Sequence, residues 1–553
     1  MIMEGTAMAS AHGQRALPHR DARIVTGKPA GTDTGAKRLV VVSNRLPVTI
    51  ASNGRGEQEV RPSSGGLVTA LWPVLRRTGG LWFGWSGAYD GNGDVDALLR
   101  SVEHECCFKP VPLTEGDVED YYLGFSNRSL WPLLHGLEDY CEFDRRWWDA
   151  YRRVNRRFAS LLAEHSAIED FIWVHDYHLM LVARELRNLG IEQPLCFFLH
   201  TPFPAADALG RLPWGPELVR GLLEYDVVGF QTMHDKENFV RCAQAYGHTV
   251  SVEFQGQTSV IDTGARRVRA SVLPIAIDVS EFATEAASRT VSDRVAGLRE
   301  SMPGCQMLLG VDRLDYSKGI PLKLQAFADA LERFEELRGR VTLVQVVVPS
   351  RESIPEYQKV KRQIEEVAGA INDRYGRSDW TPVQCLYRSV NRAELLAYYR
   401  AASAVLVTSL KDGMNLVAKE YCAANVEETG VLILSRSTGS AVQLHRDVLL
   451  VDPYDSDSVA RAIRKAFHMS REERALRMRR LRNRIRKRDI YWWLDLCLRT
   501  ATADNGDLRA INAMNALSLM GSRSRTNSSN LPDRRHRHQP VLVASSQNSG
   551  RRR

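Results

Sequence analysis

Long hydrophobic runs are missing from this chain. A membrane-spanning helix needs about 20 consecutive apolar residues, whereas runs such as Leu39 to Val42 and Val346 to Pro349 are a few residues long. A soluble protein with no membrane partner is therefore expected. Also missing are the signatures of several enzyme classes. No Gly-x-Gly-x-x-Gly follows the first strand-like run and no Gly-x-x-x-x-Gly-Lys-Ser/Thr occurs, which argues against NAD and P-loop nucleotide sites. His-Glu-x-x-His and Gly-x-Ser-x-Gly are absent too. The nine cysteines are an odd number without a Cys-x-x-Cys pair; Cys106 and Cys107 are adjacent, and Cys196 and Cys422 stand in apolar surroundings. Free thiols in a reducing compartment fit that pattern better than disulfides or a zinc site. The first residues show no basic stretch leading into an apolar one, so a cytoplasmic location is expected.

What is present begins with charge. The formal net charge of +8 is unevenly spread. Gly521 to Arg553 holds eight arginines and one aspartate, a net of +7, and Met1 to Lys37 holds five basic and three acidic residues, a net of +2. The body between them is close to neutral, so the basicity belongs to the ends and no nucleic-acid partner is expected. With 553 residues, 44 % of them hydrophobic and 25 % charged, the chain has globular composition and is too long for a single core.

Apolar strand-like runs alternate with helical stretches. Arg38 to Ser43, Asp170 to His175 and Leu195 to His200 are the runs of the first half; Gln306 to Asp312, Val341 to Pro349, Ala404 to Thr408 and Val431 to Leu434 are those of the second. Continuous rather than alternating apolar runs imply parallel strands buried on both faces. The fold class is α/β, with two Rossmann-like, doubly wound units joined near Pro274–Asp278. Expected boundaries are a disordered extension over 1–37, a first domain over 38–273, a second over 274–487, a terminal helix over 488–504 and a disordered Arg/Ser-rich tail over 505–553. Ligands of open α/β sheets bind beyond the strands' C-terminal ends, which here means a cleft between the units.

Four clusters sit at such ends. Ser43 to Pro47 and Ser63 to Leu67 contain Arg45 and the pair Gly65-Gly66; the glycines suit a phosphate or a plain turn, and Arg45 suits a phosphate or a carboxylate. Trp173 to His178 and His200 to Pro204 offer Asp176 and His200 to sugar hydroxyls, or to helix capping and a satisfied core. Val311 to Gly319 places Arg313 and Lys318 around one strand-to-helix turn, an unfavourable place for two cations unless an anion sits there. Lys411 to Glu420 is a glycine-containing loop opening a helix, with Glu420 able to meet a ligand.

Together with Gly80 to Gly87, these stretches make the chain from about Arg38 to Ala503 resemble the trehalose-6-phosphate synthases of glycosyltransferase family 20. The resemblance implies a GT-B fold, two Rossmann-like domains facing each other across a cleft, and metal-independent, cofactor-free transfer of glucose from UDP-glucose to glucose 6-phosphate with retention. It implies donor contacts from Gly65, Gly66, His200, Arg313, Lys318, Asp412, Gly413, Met414, Asn415, Leu416 and Glu420. Acceptor contacts are implied for Arg45, Tyr122, Trp131, Asp176 and Arg351, with Arg45 and Arg351 on the 6-phosphate. Asp176, His200, Arg313, Lys318 and Asp412 are the expected catalytic group. Val390 stands where some members carry an aromatic residue near the base, which bears on nucleotide preference. No phosphatase-like region follows the synthase-like one, so a separate phosphatase is expected to act on the product, and a homo-oligomer is expected. The rival readings are a glucosylglycerol-phosphate synthase, using ADP-glucose and glycerol 3-phosphate, and a catalytically silent sugar-phosphate sensor.

Overall fold

The computed structural model describes residues 38–502 except 53–57, 63–66, 69, 73–74, 76–79, 90–94 and 101–106. The expected terminal extension and tail lie outside the described residues, as do Gly65 and Gly66.

The strands are, in chain order, β1 (Leu39–Arg45), β2 (Val48–Ser52), β3 (Gln58–Pro62), β4 (Leu81–Trp85), β5 (Cys107–Pro110), β6 (Phe171–His175), β7 (Leu195–Phe198), β8 (Val227–Phe230), β9 (Ser251–Gln255), β10 (Thr258–Asp262), β11 (Arg267–Val272), β12 (Gln306–Arg313), β13 (Val341–Val348), β14 (Val383–Tyr387), β15 (Ala404–Val407), β16 (Val431–Ser435) and β17 (Leu449–Val451). The first sheet has nine strands in the order β5-β4-β1-β6-β7-β8-β11-β10-β9, and the second has six in the order β14-β13-β12-β15-β16-β17. Pairing is parallel throughout the second sheet. It is parallel in the first from β5 to β11, after which β10 and β9 add an antiparallel edge. The hairpin β2–β3 stands apart.

Both sheets reverse strand order at one place, between β1 and β6 in the first and between β12 and β15 in the second. At such a switch point the crossover helices on the two sides run off opposite faces, which opens a crevice at the strands' C-terminal ends. The strands there are what burial on both faces demands: Val40, Val41 and Val42 of β1 are wholly buried, as are Leu309 of β12 and Val405 of β15. Burying each such side chain contributes roughly 1.5–3 kcal/mol.

Three features hold the halves in place. The helix Ile490–Thr502 returns to the first sheet, where the buried Trp493 packs on Trp173 and Phe198 at ring distances of 4.7 and 5.1 Å and donates its indole N–H to Leu273 O at 2.9 Å. The crossing segment is tied back on itself, Ile490 N–H donating to Ile277 O at 3.0 Å and the Tyr491 hydroxyl to Asp278 Oδ2 at 3.0 Å. Lys419 donates its amine to Ile275 O in the same segment at 2.5 Å; desolvation, helped by Arg488, pushes that amine down to about 7. The helix starting at the 313–319 turn runs Ile320–Arg333 and gives way to a 3₁₀ turn at Glu335–Leu337.

Candidate active site

At the first switch point, β1 ends in Arg45, whose guanidinium lies over the rings of Trp85 at 4.6 Å and Tyr122 at 5.2 Å. Tyr122 comes from Val118–Leu130, a π-helix that leads straight into Trp131. Wide turns of this kind are rare and usually short, and they concentrate at functional sites. Asp176 follows β6 with φ +75° and ψ 164°, a conformation that costs a non-glycine residue on the order of 1–3 kcal/mol. Its N–H donates to Phe198 O at 2.8 Å, and its Oδ1 accepts from His200 N–H at 3.3 Å, joining the ends of β6 and β7. Loss of water pushes the Asp176 carboxyl up to about 6, against the pull of the backbone N–H groups of Tyr177 and His200 and of Arg313 and Arg351. His200 is driven down to about 3 by burial, and His175, whose Nδ1 is 3.1 Å from His200 Nε2, is lowered as well. Burial favours the neutral form of both imidazoles, and a hydrogen bond between the facing nitrogens requires one of them to carry the proton. Burial raises the Tyr122 phenol, but Arg351 and Arg45 outweigh it and bring the group down to about 8.

At the second switch point, β12 ends in Arg313, and the chain turns through Tyr316–Lys318 to Gly319, which needs its φ of +63° to start the next helix. The Lys318 amine donates to Asp412 Oδ2, which also accepts from Asn415 Nδ2 at 3.1 Å and Ser409 Oγ at 3.3 Å. Burial would raise Asp412; Lys318 more than offsets it and holds the carboxylate below its usual range. Leu416 precedes the helix Val417–Ala424, whose N-terminus has no side-chain cap. Burial raises the Glu420 carboxyl, and Glu420 Oε2 accepts from the buried Tyr399 hydroxyl at 2.9 Å. Arg351, just beyond β13, lies over Trp131 at 4.6 Å and donates to the hydroxyls of Tyr357 at 2.7 Å and Tyr177 at 3.2 Å.

These groups meet in one cavity of about 440 Å³ between the sheets. Arg45, Tyr122, Trp131, Asp176, His200, Arg313, Lys318, Arg351, Asp412, Met414, Asn415, Leu416 and Glu420 all line it. Gly413 does not; it presses on the first half, where a Cβ would lie 1.9 Å from His200 O, so its place in the site is to let two loops touch. Of the five non-glycine residues with positive φ among the described residues, Asp176, Arg351 and Asn415 border this cavity. Strain gathered at one place marks a site that the rest of the fold enforces. The cavity wall also contains His135, His175, Tyr177 and His178, which sequence reasoning did not single out as site residues. Tyr177 and the histidines beside Asp176 lie inside a motif already noted, whereas His135 follows Trp131 with no signal of its own. Among the described residues no group of three or more His, Cys, Asp or Glu side chains converges to hold a metal ion.

Two doubly wound sheets facing across a cleft, with cationic side chains at both switch points, define a GT-B glycosyltransferase. The family model for glycosyltransferase family 20 matches residues 37–503. A trehalose-6-phosphate synthase of Sinorhizobium fredii is 40 % identical over 470 residues, covering 85 % of this chain and 99 % of the relative. A bifunctional trehalose-6-phosphate synthase/phosphatase of Thermoproteus tenax is 40 % identical over 472 residues, covering 82 % of this chain and 62 % of the relative's length. The crystal structure of a UDP-forming α,α-trehalose-phosphate synthase from Burkholderia xenovorans in complex with glucose 6-phosphate superposes with a TM-score of 0.78 at 35 % identity, covering 84 % of this chain and all of that one. An E. coli structure bound with UDP-2-fluoro glucose gives 0.75 at 36 %, covering 86 % and 99 %. The chain belongs to glycosyltransferase family 20.

Proposed function

We propose that this protein is an α,α-trehalose-phosphate synthase: it moves glucose from UDP-glucose to glucose 6-phosphate, with retention, and releases UDP and α,α-trehalose 6-phosphate. The observation that carries the reading is the presence of two cationic groupings in one cavity, Arg313 with Lys318 and Arg45 with Arg351. One suits a diphosphate and the other a phosphate monoester, as a nucleotide sugar and a sugar phosphate require.

In this reading Arg313 and Lys318 take up the charge growing on the departing diphosphate, so no metal or cofactor is needed. Asp412 keeps Lys318 in place and meets the transferred glucose together with His200. Glu420, steadied by Tyr399, binds the ribose, while Met414, Asn415 and Leu416 border the nucleotide. Tyr122, Trp131 and Asp176 hold the acceptor ring against Arg45 and Arg351. Asp412 already binds Lys318, Asn415 and Ser409, which leaves it poorly placed to be a covalent nucleophile. Attack from the leaving-group face, with the diphosphate accepting the acceptor's proton, fits better; isolation of a covalent glucosyl-enzyme would sink it. The protein is proposed to act in the cytoplasm as a homo-oligomer, its product being dephosphorylated by a separate phosphatase. No helix among the described residues is long and apolar enough to cross a membrane.

The test is nucleotide release from UDP-, ADP- and GDP-glucose, each offered with glucose 6-phosphate and with glycerol 3-phosphate. UDP release with glucose 6-phosphate, accompanied by a non-reducing phosphorylated disaccharide, is expected. Activity only with glycerol 3-phosphate would overturn the acceptor, and silence in every pairing would favour a sensor.

A further inference from the structure

Between Arg313 and Arg351 stands a carboxylate that the reading above leaves without a role. Asp315 is completely buried. Its Oδ1 accepts from the backbone N–H of Ser317 at 2.9 Å and from the indole N–H of Trp131, 184 residues away in the other half, at 3.3 Å. Its Oδ2 accepts no hydrogen bond and lies 3.7 Å from Arg351 Nη1 and 4.0 Å from Arg313 Nη2. Both guanidiniums also face the Trp131 ring, at 4.6 and 5.4 Å. Burial pushes the Asp315 carboxyl up, but Arg351, Arg313 and Lys318 more than offset this and keep it below the usual carboxylate range.

Ion-pair distances longer than a hydrogen bond attract the two arginines without occupying their N–H groups. The buried Nε of Arg351 has no partner among the described residues, so a donor remains for an incoming anion. A phosphate has enough oxygens to draw two guanidiniums onto itself, and two uncompensated arginines this close would close on one anion. A fixed negative charge beside two anion-binding groups weakens the binding of each anion. Its presence here makes sense if placement matters more to the reaction than affinity.

We propose that Asp315 is a positioning residue that holds Arg313 and Arg351 apart, so that each meets the phosphate of a different substrate and the pair does not collapse onto a single anion. This rests on the two-substrate reading of the cavity. Trp131 fixes the arrangement to the first half, so the separation is set where the halves meet.

The experiment is calorimetric titration of inorganic phosphate into the full chain, alone and in the presence of UDP or glucose 6-phosphate, for wild type, Asp315→Asn and Asp315→Glu, with turnover measured on the same samples. Wild type is expected to bind two phosphates, one displaced by UDP and the other by glucose 6-phosphate. Asp315→Asn is expected to bind one phosphate about 10-fold more tightly, displaced by either ligand, with turnover lowered at least about 10-fold by misplacement of the arginines. Asp315→Glu keeps the charge and should stay within about twofold of wild type in phosphate affinity. A single phosphate in wild type displaced by both ligands overturns the proposal whether or not the Asn variant folds. A folded Asn variant that binds phosphate no more tightly than wild type, or turns over at the wild-type rate, overturns it too. Two phosphate sites in a wild type that cannot turn over UDP-glucose with glucose 6-phosphate would instead refute the function while leaving the separation of the arginines standing.

Discussion

The two switch points handle charge in opposite ways. On the first sheet's side the titratable groups are desolvated and their charged forms disfavoured: burial takes His135 down to about 4 and His200 to about 3, lowers His175 and His178, and lifts Asp176 to about 6. On the second sheet's side the charges persist and are matched, Lys318 with Asp412, Lys323 with Asp312, and Arg313 and Arg351 with Asp315. Arg45 is the cation that the first half contributes to the cavity lining. A neutral, aromatic wall opposite a charged one lowers the local dielectric, and the same arginine does more for developing charge there than it would in water. One half supplies the field and the other the dry surroundings in which it counts.

Breaking the charged side should cost most. Arg313→Ala is expected to lower turnover by about 10²–10³-fold, the loss typical of one charge-stabilising donor; steady-state kinetics with saturating substrates check this, and turnover within about threefold of wild type would place Arg313 outside the mechanism. On the neutral side, Asp176→Asn should lower acceptor kcat/KM by at least about 10-fold, the order of one positioned hydrogen bond, with donor KM little changed. The same variant sharpens the comparison through pH. The folded carboxyl is raised to about 6, above its value in the unfolded chain, so the fold favours the neutral form. That contribution is fully present below the unfolded value and is lost as pH rises through about 6. Above that, the ionised group costs on the order of 3 kcal/mol. Asp176→Asn should therefore melt higher than wild type at pH 8 and about equally near pH 4; equal destabilisation at both would show a satisfied charge. The smallest effect is expected from Tyr399→Phe, which removes one hydroxyl from Glu420 without touching the cations. Donor KM should rise by about 3- to 10-fold, the order of one hydrogen bond to a charged group, while acceptor KM stays level. A rise in both would mean that Tyr399 braces the whole cleft.

The strands that carry the switch points were readable because a parallel strand buried on both faces has to be continuously apolar, and its polar sequel marks the C-terminal end. Arg45, Asp176, Arg313 and Asp412 all follow such runs. β8 was not readable: Val-Val-Gly-Phe is short and broken by Gly229, where a Cβ would lie 2.7 Å from Phe198 and 2.9 Å from Leu273, a constraint that exists only after the neighbours are in place. The antiparallel edge β9–β10 and the π-helix under Tyr122 escaped as well. Their pattern answers to what they pack on and carries no period of their own.

The sequence alone determined the alternation of strand and helix, the doubling of the α/β unit, and the chemistry waiting at the strand ends, because local burial dictates all three. Tertiary structure decided which of those groups face one another. Asp315 lies inside a stretch singled out for its cations, and its partner Trp131, 184 residues earlier, is placed against it only by the fold. Arg351, implied for the acceptor phosphate by resemblance alone, is enclosed by Tyr177, Tyr357 and Trp131 only in the folded chain. Contacts of that range depend on how two sheets are set against each other, and no local pattern encodes that distance.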